Sequence, residues 1–161
     1  MSDLTHLDAQ GDARMVDVAA KVVTARSASA RAIVVLPEPA RAALAAGGDT
    51  RKGNVLQVAR LAGIMAAKRT ADLIPLCHPL PLDGVDVAFS LEGDRLTITA
   101  SARCTARTGV EMEALTAASV AALTVYDMLK ALSHDLLITG IELVDKRGGR
   151  SGTIDRSARL S

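Results

Sequence analysis

Thr108-Gly-Val-Glu-Met-Glu-Ala-Leu-Thr-Ala-Ala-Ser-Val-Ala-Ala-Leu-Thr-Val-Tyr-Asp-Met-Leu-Lys130 reads as one long helix, charged at both ends and apolar between them. Its middle is suited to burial and its ends to chemistry. At about 100° per residue, Glu113, Ala117, Val120, Thr124, Asp127, Lys130 and His134 fall along one stripe. Glu113 and Asp127 still stand about 21 Å apart along the helix axis, too far for one small ligand to touch both. Either they serve separate purposes or two chains meet.

The segments around this helix set its context. Val85 to Leu91 and Arg95 to Ala102 alternate apolar and polar residues about the turn signal Glu92-Gly-Asp94, which predicts a hairpin. Leu136 to Val144 reads as a final strand. Towards the N-terminus, Ser29 to Leu36 has the β-branched content of a strand. Pro37-Glu-Pro39 ends it and starts a short Ala-rich helix that Gly47-Gly48 stops. Asn54 is placed to cap a helix running to about Arg69, with Val55, Val58, Ala62 and Met65 on its inner face. The prolines of Leu73-Ile-Pro-Leu-Cys-His-Pro-Leu-Pro-Leu82 exclude a helix there.

The order β-α-α-β-β-α-β predicts an α+β fold: a ferredoxin-like split βαβ sandwich with one added helix, its mainly antiparallel sheet covered on one face. The other face is expected to need a partner such as another subunit. Residues 1–161 are expected to form a single domain, with mobile tails at about 1–14 and 147–161.

Hydrophobic residues make up 49% of the chain and aromatics 1%, so the core must be assembled from Ala, Val, Leu, Ile and Met. A formal net charge of +1 provides no global field to draw nucleic acid or an anionic membrane, and neither is expected as a partner. Any anion site must be a local cluster. Cys77 and Cys104 have neither the number nor the spacing of a disulfide framework or a four-ligand zinc site. Met1 to Gly11 lacks the features of a signal peptide, and no uninterrupted apolar stretch is expected to span a membrane, so a cytoplasmic protein is expected.

Several clusters allow two readings each. Lys52-Gly53-Asn54 stands at a helix start, as a phosphate cradle or as a solvated Lys beside an ordinary cap. His78, held between prolines, is either presented to a substrate or hydrogen-bonded in the core, and Cys77 reads as core filler rather than nucleophile. Glu111 and Glu113 complement the helix dipole whatever else they do, while a carboxylate also accepts two hydrogen bonds from a guanine-type edge. Asp127 and Lys130 form an i,i+3 pair, idle on an open surface and useful as base and amine in a cleft. Lys146-Arg-Gly-Gly-Arg-Ser-Gly152 either wraps a polyphosphate or remains a solvated tail.

Leu4-Thr-His6, Met15-Val-Asp-Val18, Lys52-Gly53, the run from Ala66 through Cys77-His-Pro-Leu80, the helix from Thr108 through Lys130 and Gly148-Gly-Arg-Ser-Gly152 together resemble the cyclic pyranopterin monophosphate synthase (MoaC) family. The match spans essentially the whole chain. The resemblance implies a lyase of molybdenum cofactor (molybdopterin) biosynthesis. Its GTP-derived substrate is (8S)-3′,8-cyclo-7,8-dihydroguanosine 5′-triphosphate, and its products are cyclic pyranopterin monophosphate and diphosphate. It further implies a homohexamer, a trimer of dimers with active sites between subunits.

By position, the resemblance makes Asp127, Lys52 and Lys130 catalytic. Leu76, Cys77, His78, Met112 and Glu113 line the substrate site by the same carry-over. Beyond it, Glu111 is expected to assist at the base edge, and Lys146 and Arg150 to stand among the phosphate-binding cations. Two antiparallel copies of the long helix would then bring Glu113 of one chain near Asp127 of another, with Ala114, Ala117, Ala118, Ala121 and Ala122 permitting close approach. Three departures stand out: His134 and Arg150 where Lys is common in the family, and Asn54 where Asp is usual. No metal site and no required cofactor are expected. Magnesium is allowed as a companion of the triphosphate or diphosphate, although no acidic cluster demands it. The rival expectation is a noncatalytic nucleotide-binding or scaffold protein on the same fold.

Overall fold

A computed structural model describes residues 10–149 and 152–157. Its elements run β1 (Thr24–Val35), α1 (Glu38–Ala45), β2 (Asp49–Thr50), β3 (Gly53–Asn54), α2 (Val55–Ala67), α3 (Thr70–Leu73), β4 (Leu82–Glu92), β5 (Arg95–Ala106), α4 (Glu111–Leu129), β6 (Leu137–Arg147) and β7 (Ile154–Asp155). The main sheet has the order β4-β5-β1-β6-β7 with every pair antiparallel. Without β7 this is the ferredoxin-like arrangement: β1 and β4 flank β5, and β5 and β6 flank β1. The short β2–β3 hairpin stands apart from this sheet.

Local chemistry explains the hairpin of β4 and β5. Glu92 pairs with Arg95, which leaves Gly93-Asp94 as a two-residue turn. Gly93 has φ +60°, while no non-glycine residue among those described has positive φ. This is the pattern of a II′ turn, whose twist matches that of the strands. The backbone N–H of Leu36 donates to the carbonyl of Asp94 at 2.8 Å and ties the turn to the end of β1.

The core is alanine-rich because the helices lie close to the sheet. Ala28, Ala30 and Ala32 on β1 and Ala100 and Ala102 on β5 are buried, as are Ala114, Ala118, Ala121 and Ala122 on α4. Leu36, Leu96, Ile98 and Leu129 supply the largest fully buried side chains, each worth about 1.5–3 kcal/mol of transfer free energy. The opposite face of the sheet carries Ser29, Thr97, Thr99 and Ser101, with Ser29 and Ser101 hydroxyls 3.1 Å apart and Arg31 bonded to Glu142 at 2.6 Å. These groups are compatible with water.

Four expectations are corrected. First, on α2, Val55 is buried, but Val58 and Met65 are exposed and Ala62 is only partly buried; Ala59, Gly63, Ala66 and Ala67 form the inner face instead. The reason is steric. A Cβ on Gly63 would lie 2.9 Å from the Ala117 carbonyl and 3.3 Å from the Ala121 Cβ, so only small residues fit where α2 crosses α4. Second, the five alanines Ala114, Ala117, Ala118, Ala121 and Ala122 have no exposed surface, so they cannot serve as the approach surface for a second copy of α4. Third, part of the tail expected to be mobile forms β7, with Ile154 opposite Lys146 and Asp155 opposite Asp145. Fourth, α4 does reach the length and apolar composition of a membrane span, yet half of it is buried inside the chain, as in a core helix.

Candidate active site

The first turn of α4 lacks a side-chain cap, and its unpaired amides favour the carboxylates of Glu111 and Glu113. Gly109 creates room for the first of these. A Cβ there would fall 1.8 Å from Glu111 Oε2, so the carboxylate folds back over a bare backbone. Glu111 Oε1 then accepts from Lys146 Nζ of β6 at 2.9 Å, with both side chains well sheltered. Glu113 turns inward from the same helical turn and is 3% exposed. Burial pushes its carboxyl up to about 7, opposed by a hydrogen bond from its own backbone N–H and assisted by the negative charge of Glu111.

Beside Glu113 lies a cavity of about 300 Å³, lined by Val16, Val18, Lys21, Leu76, Cys77, His78, Leu80, Thr108, Gly109, Glu111, Met112 and Glu113. The proline-rich loop before β4 supplies one wall and the start of α4 another. Residues ahead of β1 supply the third, where Lys21 N–H donates to the Val18 carbonyl at 3.0 Å and Ala19 N–H to Asp17 Oδ1 at 2.8 Å. Burial, and next to it the Glu113 carboxylate, raises the Cys77 thiol. It therefore stays protonated near neutrality, which suits a filler or weak donor and not a nucleophile.

The other end of α4 holds a second cluster. Arg51 and Lys52 form the tip of the β2–β3 hairpin, where Lys52 N–H donates to Thr50 Oγ1 at 3.1 Å. From there Lys52 Nζ reaches Asp127 Oδ2 at 3.1 Å, while Lys130 Nζ holds Oδ1 at 2.7 Å. Hydrogen bonds from Lys130 and then Lys52 hold the Asp127 carboxyl below its usual range, and Asp127 in turn raises Lys130. All three side chains are about half exposed on the single chain. A hollow of about 890 Å³ adjoins Lys52, with Met128, Ala131 and Leu132 on its apolar side.

The sites inferred from sequence thus divide into two groups. Leu76, Cys77, His78, Glu111, Met112 and Glu113 share one cavity, with Lys146 joined to it through Glu111. Lys52, Asp127 and Lys130 meet at the far end of an unbroken 19-residue helix. Arg150 lies outside the described residues. Asn54 caps α2 by accepting from Gln57 N–H at 3.2 Å, so that helix start is closed by its own side chain while Lys52 points away to α4. Val16, Val18 and Lys21 escaped the residue-by-residue reading. Val16 and Val18 belong to Met15-Val-Asp-Val18, a segment that carries the family resemblance but was given no role at the site, and Lys21 was not singled out. Among the described residues, no three His, Cys, Asp or Glu side chains are grouped to hold a metal ion.

A sheltered carboxylate at one end of a central helix and a clamped one at the other, on an antiparallel α+β framework, place the molecule among enzymes that process small polar substrates. The chain belongs to the MoaC family, whose model matches residues 15–149. It is 58% identical over 158 residues to the cyclic pyranopterin monophosphate synthase of Chloroflexus aggregans, covering 97% of this chain and 95% of that protein. The synthase of Novosphingobium aromaticivorans is 57% identical, covering 95% of this chain and 97% of its own. That of Thermomicrobium roseum is 59% identical, covering 95% and 93% respectively.

Proposed function

We propose that this chain converts (8S)-3′,8-cyclo-7,8-dihydroguanosine 5′-triphosphate into cyclic pyranopterin monophosphate with release of diphosphate, as a lyase of molybdenum cofactor biosynthesis. The observation that carries this is the cavity at the start of α4. Leu76-Cys77-His78 and Met112-Glu113 come from separate motifs and line one hollow with a buried carboxylate. Ionised, Glu113 accepts two hydrogen bonds from the ring and exocyclic nitrogens of a guanine-type edge, with Glu111 alongside and His78 towards the phosphates.

Asp127, Lys130 and Lys52 move protons during ring opening and rearrangement. Clamped by two ammonium groups, Asp127 is a weak base; phosphate oxygens that draw the lysines towards themselves restore its basicity. A substrate the size of one nucleotide does not bridge the length of α4, so the second cluster comes from another chain. This supports sites between subunits, in the homohexamer, a trimer of dimers, that the family resemblance implies. Its contacts use the outer surface of the helices, where Leu123 is 59% exposed on α4 and Leu61 59% on α2. The chain needs no resident cofactor, magnesium enters only with the phosphates, and the enzyme works in the cytoplasm. None of the three relatives named above, and no feature of the site among the described residues, favours a noncatalytic scaffold role.

Incubation of the purified chain with the cyclised dihydro-GTP is expected to yield cyclic pyranopterin monophosphate and diphosphate in equal amounts. Recovery of unchanged substrate would contradict the proposal.

A further inference from the structure

Lys52 reaches Asp127 from a hairpin with few constraints of its own. Strands β2 and β3 have two residues each and form a sheet apart from the main one, and a ladder that short is not stable in isolation. Side chains supply what the ladder lacks. At the base, Asn54 Nδ2 donates to the Gly47 carbonyl at 2.8 Å and to Asp49 Oδ1 at 3.1 Å, and Val55 N–H donates to the Gly48 carbonyl at 2.9 Å. At the tip one hydroxyl does this. Thr50 Oγ1 donates to the Gly53 carbonyl at 2.9 Å and accepts from Lys52 N–H at 3.1 Å, so it braces the turn Arg51-Lys52 by a donor and an acceptor contact. Gly53 closes the turn at φ +109°, a backbone conformation that a side chain would strain. Thr50 is partly buried, whereas Arg51, Lys52 and Gly53 are exposed.

The braced tip aims a long, flexible side chain at two acceptors on one residue. Lys52 Nζ donates to Asp127 Oδ2 at 3.1 Å and to the Asp127 main-chain carbonyl at 3.3 Å. That carbonyl belongs to the C-terminal end of α4, where backbone acceptors outnumber helical donors and a cation complements the helix dipole. We propose that Thr50 is a positioning residue of the reaction: without touching the substrate, its hydroxyl sets the direction from which Lys52 is delivered to Asp127. The assignment rests on the proposed function, in which Lys52 and Asp127 move protons. Catalytic groups tolerate little displacement, since a shift of about 1 Å can cost about 100-fold in rate. A hydroxyl that merely closed a turn would leave the Lys52–Asp127 contact unchanged on its removal.

Thr50→Val keeps the β-branched shape and removes both hydrogen bonds, while Thr50→Ser keeps the hydroxyl; Asp49, Arg51 and Lys130, the other charged groups of the hairpin and the helix end, are present in both. Two measurements on the full-length chain test the role. The first is the titration midpoint of the Asp127 carboxyl, followed by NMR of isotope-labelled aspartate with Asp127→Asn identifying its signal. Thr50→Val is expected to raise that midpoint in the same direction as Lys52→Ala but less far, because the ammonium stays nearby, and Thr50→Ser to leave it at the wild-type value. The second is kcat for pyranopterin formation, expected to fall about tenfold in Thr50→Val, to recover in Thr50→Ser, and to fall no further when Thr50→Val is added to Lys52→Ala. Thermal melts should be unchanged. An Asp127 midpoint unmoved in Thr50→Val, a Thr50→Val kcat equal to that of wild type, or a loss that recurs in full in the Lys52→Ala background would overturn the role. If the midpoint responds as expected but wild type forms no pyranopterin, the positioning of Lys52 by Thr50 stands and the proposed reaction fails.

Discussion

Lys52 Nζ lies 3.1 Å from Asp127 Oδ2, joining a hairpin tip to the last turn of α4 across 75 residues of sequence. Lys130 completes the clamp from one helical turn away. Because all three groups are exposed on the chain, their removal bears on chemistry and not on folding. Asp127→Asn is expected to lower kcat by about 100-fold or more while the melting temperature stays at the wild-type value. In Lys52→Ala one ammonium is lost and the carboxylate is less favoured. The acidic limb of its residual rate against pH should therefore move to higher pH, and an unmoved limb would remove Asp127 from the titrating step.

Glu113 yields a pH prediction with a definite sign. Its carboxyl is held at about 7 in the folded chain against 4.5 in the reference state, so the fold favours the protonated form. Unfolding then releases protons between those values, and this residue's contribution to stability falls as pH rises from about 4.5 to 7. Above 7 the penalty is complete, at most about 3 kcal/mol. Glu113→Gln should be more stable than wild type in urea at pH 8 and nearly equal to it at pH 4. Binding of the base edge needs the carboxylate, so wild-type affinity should climb with pH and level off above 7, while the Gln variant binds weakly at every pH. A wild-type binding profile flat from pH 5 to 8 would contradict this role.

At the crossing of α2 and α4, Gly63 has the Ala117 carbonyl, Val87 Cγ2 and Ala121 Cβ around the space a side chain would need. Gly63→Val must push the helices apart, and a loss of about 1–3 kcal/mol is expected by urea denaturation. A variant as stable as wild type would show that the crossing is looser than described.

Gly109 holds the site geometry in a different way, by leaving space for the Glu111 carboxylate that pairs with Lys146. Gly109→Ala should raise KM several-fold with a small change in the melting temperature, because the displaced group is a side-chain end and not a packed core. Equal KM for variant and wild type would show that the placement of Glu111 is not needed.

Much of this was legible in the sequence because local rules and tertiary packing agree. The turn at Gly93, the Asn54 cap and the proline-broken loop before β4 all follow from residue chemistry, and the strand order follows from their succession. The inner face of α2 was not legible. Hydropathy favours Val58 and Met65, but the close helix crossing selects Ala59 and Gly63, a steric demand that periodicity does not encode. The cavity-lining residues of α4 were legible as motif members, whereas Lys21 was not, since it reaches the cavity only when the segment before β1 meets the start of α4 and the loop before β4. The alanine stripe of α4 signalled close packing correctly, but not which partner would use it.

Mixing inactive parents tests the central claim, that Glu113 and Asp127 act on one substrate from different chains. Glu113→Ala and Asp127→Ala chains are to be unfolded together, refolded as mixed assemblies and assayed for pyranopterin formation. Restored activity, which requires some sites to combine an intact Glu113 from one chain with an intact Asp127 from another, is the predicted result. Mixed assemblies as inactive as either parent, with co-assembly verified, would contradict it.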